Sequence, residues 1–160
     1  ARRATASASE ATGQTLASFD FAFQPSVERA VESGFSVIFH RLEDLLASLK
    51  RDAERGPQRL RRCKYMTTAL LIIDEVGFEP MTRLEASLLF RLVSHRYGRG
   101  STLITTNKRI RDWPGVLAGD EVLATAILDR LLHRSHVLNI PGRSYRLREL
   151  ERAASSGSGG

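Results

Sequence analysis

The stretch Ala69-Leu-Leu-Ile-Ile-Asp-Glu-Val-Gly-Phe78 decides the fold. Its apolar run, Ala69 to Ile73, has the length and composition of a strand buried on both faces, and it stops abruptly at Asp74 and Glu75. Working outward, the chain alternates strand and helix. Phe35 to Phe39 is a short apolar strand. Leu42, Leu45, Leu46 and Leu49 fall at i, i+3, i+4 and i+7, one face of a helix. Arg51 to Lys64 reads as a charged connector containing Gly56 and Pro57. Downstream, Thr82 and Glu85 form a capping-box pattern for a helix reaching about Tyr97, with Gly98 and Gly100 as stop signals. Ser101 to Thr106 is the next strand and Asn107 closes it. Asp120 caps a helix from Glu121 to about His133, and His136 to Ile140 is a last strand. Strands separated by helices imply parallel pairing through right-handed crossovers, hence an α/β layered fold. Upstream, Phe19, Phe21 and Phe23 alternate as in an extended segment, and Ser26 to Glu32 reads as a short helix stopped by Gly34.

Composition bounds the function. The 160 residues carry 24 Lys+Arg against 18 Asp+Glu, a formal net charge of +6. Only Lys50, Lys64 and Lys108 are lysines, so 21 of the cations are arginines, which hold their charge and bind phosphates in a bidentate way. Contact with nucleic acid or nucleotide is one reading, and a solvated arginine-rich surface is the other. The single cysteine, Cys63, excludes an internal disulfide framework and fits a reducing compartment. Between Arg62 and Lys64 its thiol is a candidate for a lowered pKa. No apolar run approaches the roughly 20 residues that span a bilayer. Ala1 to Ser9 lacks a signal-peptide pattern, so a cytoplasmic protein is expected, and the absent initiator Met suggests a fragment. Residues 1–18 are expected to be disordered, 19–152 to form the folded domain, and 153–160 to be a flexible Ser/Gly tail.

Three features carry chemistry. In an open parallel sheet, ligands sit beyond the carboxyl ends of the strands, where Asp74 and Glu75 emerge. There the first carboxylate can hold Mg²⁺ and the second can polarise an attacking water; a plain acidic strand end is the alternative. Asn107, also at a strand end, can hydrogen-bond a phosphate or orient water, or simply suit a turn. Arg130 and Arg146 are either phosphate-directed arginines or ion-paired surface residues. Arg59, Arg61, Arg62 and Lys64 form the densest basic cluster and are the candidates for DNA-backbone contact. Trp113 before Pro114 reads as a packing anchor. His133 and His136 have no third ligand nearby, which argues against a metal site.

In combination these runs are specific. Leu70 to Phe78, Glu85-Ala-Ser-Leu-Leu-Phe-Arg-Leu-Val93, Arg99-Gly-Ser-Thr-Leu-Ile-Thr-Thr-Asn107, Asp120 to His133 and Ser144-Tyr-Arg-Leu-Arg148 together closely resemble the IstB-like family. Those proteins are AAA+ ATPases that help insertion-sequence transposases and are related to the DnaC helicase loaders. The resemblance runs from about Phe19 to Leu150. It implies an AAA+ P-loop NTPase-like parallel sheet with flanking helices. It also implies ATP and Mg²⁺ as cofactors, and DNA, a transposase and further copies or intact homologues as partners. Asp74 corresponds to the Walker B metal acid, Glu75 to the catalytic glutamate and Asn107 to sensor 1. Arg130 corresponds to the arginine finger offered to a neighbouring subunit, and Arg146 to sensor 2.

One departure outweighs the match. A P-loop needs G-x-x-x-x-G-K-[ST], whose amides and lysine hold the phosphates. None of the three lysines here follows glycine or precedes Ser or Thr. Where the family carries its first core strand and P-loop, the chain passes from Val27 straight to Glu28, as if by internal deletion. In an AAA+ sheet that strand lies between the sensor 1 strand and the last strand. Without it, Ser101 to Thr106 and His136 to Ile140 close up, another segment such as Phe19 to Phe23 fills the lane, or an edge stays open.

Overall fold

A computed structural model describes the backbone of residues 6–8 and 25–138, and side chains from residue 29 to residue 138. Its centre is a sheet whose described strands lie in the order β1 (Ala6–Ala8), β2 (Val37–Arg41), β3 (Leu70–Val76) and β4 (Ser101–Thr106), all parallel. This is the α/β sheet of an AAA+ fold. Helices α1 (Pro25–Glu32), α2 (Leu42–Glu54), α3 (Pro57–Arg61), α4 (Lys64–Thr67), α5 (Arg83–Arg96), α6 (Trp113–Val116) and α7 (Glu121–Leu132) make the crossovers and flank the sheet.

Local chemistry accounts for these elements. The leucine stripe of α2 is buried throughout, and each fully buried leucine contributes roughly 1.5–3 kcal/mol. Gly34 stops α1 at φ 80°, with Gly34 N–H and Phe35 N–H donating back to Val31 O and Ala30 O. The capping box of α5 is complete: Thr82 N–H donates to Glu85 Oε2 at 2.7 Å, and Glu85 N–H donates to Thr82 Oγ1 at 3.3 Å. Asp120 Oδ1 caps α7 through Leu123 N–H at 2.9 Å. The main core lies between the sheet and helices α2, α5, α6 and α7, with Trp113 buried in it. A smaller cluster, Val37, Phe39 and Ile72, sits on the other face, with Ala30 and Val31 of α1 and Leu103 of β4 packed against it.

Several expectations are corrected. The run to Ile73 does not end the strand at Asp74: a bulge absorbs the acids and β3 resumes pairing at Val76, which is buried. The charged connector is largely helical, because Leu60, Tyr65 and Met66 bury against α2 and the core while the arginines face solvent. Residues 136–138, the start of the expected last strand, have no regular structure and are exposed. Among the described residues no strand lies beyond β4, so the segment does not pair with the sheet there. Ala6–Ala8, inside the stretch expected to be disordered, pairs in parallel with Val37–Phe39. The extended Phe19–Phe23 segment, residue 140, Arg146 and the 153–160 tail lie outside the described residues. The Val27–Glu28 junction falls within α1, which runs across it without a break.

Candidate functional site

The carboxyl ends of β2, β3 and β4 bring the acidic pair together with partners that residue spacing alone did not reveal. Register sets the geometry. Arg41, last in β2, stands beside Asp74, and the bulge makes Asp74 and Glu75 share the single position opposite Thr105. Glu75 takes up the bulge at φ 64°, a left-handed conformation unusual for a side chain of its kind.

Each group in this cluster has a partner. The Arg41 guanidinium grips the Glu75 carboxylate at two points, Nη2 to Oε1 at 2.9 Å and Nε to Oε2 at 2.8 Å. The hydrogen bond from Nη2 and the charge of Glu75 hold that guanidinium more firmly in its ionised form. Thr105 Oγ1 accepts from Glu75 N–H at 3.1 Å and donates to Asp74 Oδ1. Gly77, at φ 98°, admits the Lys108 side chain so closely that an added Cβ would stand 2.6 Å from Lys108 Cγ. Asn107 follows Thr106 at the bend, exposed, on the same end of the sheet.

The other predicted residues lie apart. Arg130, in the last turn of α7, donates to Ala126 O at 2.8 Å and lies 4.9 Å over the Phe90 ring. Arg59, Arg61, Arg62 and Lys64 are all exposed on and around α3 and α4, and none forms an ion pair among the described residues. The Cys63 thiol is the reverse of the activated group expected: burial first, and then donation to Asp52 at 3.2 Å, push its pKa up. His133 Nδ1 is 2.7 Å from Tyr97 Oη. Arg41 and Thr105 were missed because only strand register places them beside the acids, and Lys108 because its stem crosses from the end of β4 to Gly77.

A metal–nucleotide complex would meet donors here that are already engaged. Asp74 and Glu75 supply carboxylates, but Thr105 engages the first and Arg41 the second, and no group of three His, Cys, Asp or Glu able to hold a metal occurs among the described residues. Two surface hollows, about 620 Å³ between α5 and α7 and about 650 Å³ beside the start of β4, are lined by neither acid nor by Asn107. No described helix is long and apolar enough to cross a membrane.

A parallel sheet in this order, with an acidic pair at the carboxyl end of β3 and an amide just past β4, is the core of an AAA+-type P-loop NTPase fold. The chain belongs to the family described as IstB-like ATP binding protein, which it matches over residues 8–153. Among similar sequences is the protein of Pseudomonas aeruginosa named as an ATP-binding protein of insertion sequence IS21, 39% identical over 88% of this chain and 67% of its own length. Similar proteins of insertion sequences IS5376 of Geobacillus stearothermophilus and IS232 of Bacillus thuringiensis are 38% and 40% identical. The alignments cover 75% of this chain and 47% and 48% of theirs, so the chain spans about half the length of those two relatives. The IS21 alignment is 180 residues long yet covers only 88% of 160 residues, leaving about 40 aligned positions without a counterpart here. In fold, the chain superposes on the crystal structure of the DnaC helicase loader with a TM-score of 0.52 over 69% of this chain and 66% of that one, at 18% identity. A DNA replication initiation factor gives 0.57 over 83% and 40%, at 17% identity.

Proposed function

We propose that this chain is an IstB-like helper of DNA transposition that keeps the acidic half of an ATPase site and lacks the half that binds phosphate. The observation that carries this reading is the absence of any Gly-Lys-[Ser/Thr] sequence in the 160 residues. Without P-loop amides and lysine, two carboxylates repel a nucleoside triphosphate rather than hold it, and one of them is already neutralised by Arg41. In this reading Asp74, Asn107 and Arg146 are the remnants of the Mg²⁺ and ATP contacts. Glu75 and Arg130 are the remnants of the hydrolytic machinery. Titration of a fluorescent ATP analogue in Mg²⁺ tests it. No saturation below the millimolar range is expected, and micromolar binding that disappears in Asp74→Ala overturns it.

A second reading is favoured by one further observation, the four exposed cations Arg59, Arg61, Arg62 and Lys64, which form no ion pair among the described residues. The chain then acts as a non-catalytic DNA-contacting or assembly module, alongside a transposase or intact homologues. Duplex binding should weaken steeply with salt, be indifferent to ATP, and show a shallower salt slope in Arg59→Glu/Arg61→Glu. ATP-dependent binding, or an unchanged slope, counts against it.

A further inference from the structure

The described sheet has two edges, and they are unlike. On one side β1 is only three residues long, and such short strands blunt an edge. On the other side β4 presents six residues, Ser-Thr-Leu-Ile-Thr-Thr, β-branched for the most part and without proline or charge. Ser101 N–H donates inward to Ala69 O at 2.8 Å. By the two-residue period of a strand, Leu103 and Thr105 also face β3, while Thr102, Ile104 and Thr106 direct their N–H and C=O groups outward. No described strand lies there to receive them.

The charges that guard natural edges are turned elsewhere. Arg99, two residues before β4, folds back on α5, its Nη1 at 3.2 Å from both His95 O and His95 Nδ1. Lys108, two residues after β4, lays its stem across Gly77 beyond β3. The half-buried Leu103 and Ile104, and the hollow of about 650 Å³ lined by Ala30, Phe35, Leu70 and Gly98–Ser101, leave apolar surface beside the strand.

We propose that this edge joins two copies of the chain, with β4 antiparallel to β4 of the second copy. Outward residues must meet outward residues for hydrogen bonds to form. Among the registers that satisfy this, the one with Ile104 opposite Ile104 of the second copy and Thr102 opposite Thr106 uses every outward N–H. The strand is uncharged, so self-pairing meets no like-charge conflict along it. A twofold contact is isologous and closes, and the short strand β1 at the far edge keeps it from growing into a filament. The contact uses neither the acidic pair nor the basic cluster, so its failure leaves the proposed function untouched.

Sedimentation from micromolar to several hundred micromolar protein, with amide exchange read by NMR, tests the proposal. A species of twice the monomer mass is expected. The amides of Thr102, Ile104 and Thr106 should become protected only as it forms, while Leu103 and Thr105 are protected throughout. Ile104→Pro removes an outward N–H without touching the β3 ladder, and should raise the dimer dissociation constant at least about 100-fold with circular dichroism unchanged. If that variant fails to fold, the concentration-dependent protection of the unaltered chain still decides the matter. A monomer at every concentration, protection of the outward amides in the monomer, or assembly beyond two copies each overturns it.

Discussion

Strands β3 and β4 lie side by side and parallel, yet their burial differs. Leu71, Ile72 and Ile73 of β3 are 0% exposed, whereas Leu103 and Ile104 of β4 are half-buried and Ser101, Thr105 and Thr106 are exposed. Hydrophobicity contributes to this, since β3 is an unbroken apolar run up to Ile73 and β4 is rich in threonine. The larger part comes from neighbours: β3 has a described strand on each side and β4 has one. In the AAA+ order the β4 lane is interior, whereas in the described sheet β4 is the edge. Burial belongs to the arrangement as much as to the strand.

Paired truncations give the largest effects and can break this comparison. Ile72→Ala should cost about 4 kcal/mol, because the site is sealed on both sides and the cavity cannot collapse. Ile104→Ala should cost roughly half that, since water already reaches the side chain. Urea unfolding of both variants measures the gap. Equal losses mean that β4 is covered in solution and is not an edge.

A smaller loss should sharpen the contrast at the start of β4. Arg96 is 3% exposed, and burial alone lowers its pKa. Its guanidinium has no carboxylate partner and donates instead to Tyr65 O at 3.2 Å, Thr68 O at 2.9 Å and Ser101 O at 2.5 Å, with Thr102 Oγ1 at 3.2 Å. This single fork ties the end of α5 to α4 and to the unsupported strand. Gly100 is needed beside it, since a Cβ there would stand 2.9 Å from Arg96 Nη2. Arg96→Met leaves those carbonyls unmatched, an expected loss of about 3 kcal/mol after relief of the buried charge. Amide exchange should accelerate more at Ser101 and Leu103 than at Leu71 or Ile73. Uniform acceleration would show that the fork supports the whole sheet rather than its edge.

How legible this was in the sequence follows from range. The leucine stripe of α2, the Thr82–Glu85 box, the Asp120 cap and the Ser101–Thr106 strand are local patterns, and each stands where its spacing put it, within a residue at the helix ends. The acidic pair was visible as an abrupt end to an apolar run, although the bulge that carries it was not. Arg41 and Thr105 were invisible because they lie about 30 residues or more from the acids and meet them only through register, and Lys108 because it is equally distant in sequence from Gly77. The fold of α3 and α4 was masked by four basic residues, Arg59, Arg61, Arg62 and Lys64, among the few side chains, Leu60, Tyr65 and Met66, that bury. The last strand failed at residues 136–138 for the opposite reason: its local signal was sound, but these residues do not pair with the described sheet.

The smallest expected effect tests the other flank of β3, where β2 is covered. His40 sits in β2 with its Nδ1 buried and without a hydrogen-bond partner among the described residues, edge-on to Tyr65 at 6.2 Å between ring centres. Burial lowers its pKa from the ordinary 6.5, against a weaker opposing pull from Asp44 on α2. The unfolded chain therefore binds a proton more readily than the folded one. The stabilisation is complete above pH 6.5, shrinks as the pH falls towards the folded value, and levels off below it. His95 is lowered too, by burial and then by Arg99, Arg61 and Arg96, and adds a parallel share. Two carboxylates whose pKa the fold lowers lose their stabilisation mainly below this window. Glu85 is held low despite its burial by Lys50 and Thr82, and Asp52 despite its burial by Tyr65 and Cys63, so both titrate below the ordinary carboxylate range. Stability should thus fall between pH 6.5 and 5 by less than about 1.4 kcal/mol per pH unit for each histidine. His40→Phe, which keeps an edge-on ring contact with Tyr65, should remove its share of that slope and leave that of His95. A variant with the full slope of the unaltered chain would mean that water reaches β2 as well. The interior position of β3 would then rest on its own side chains rather than on its neighbours.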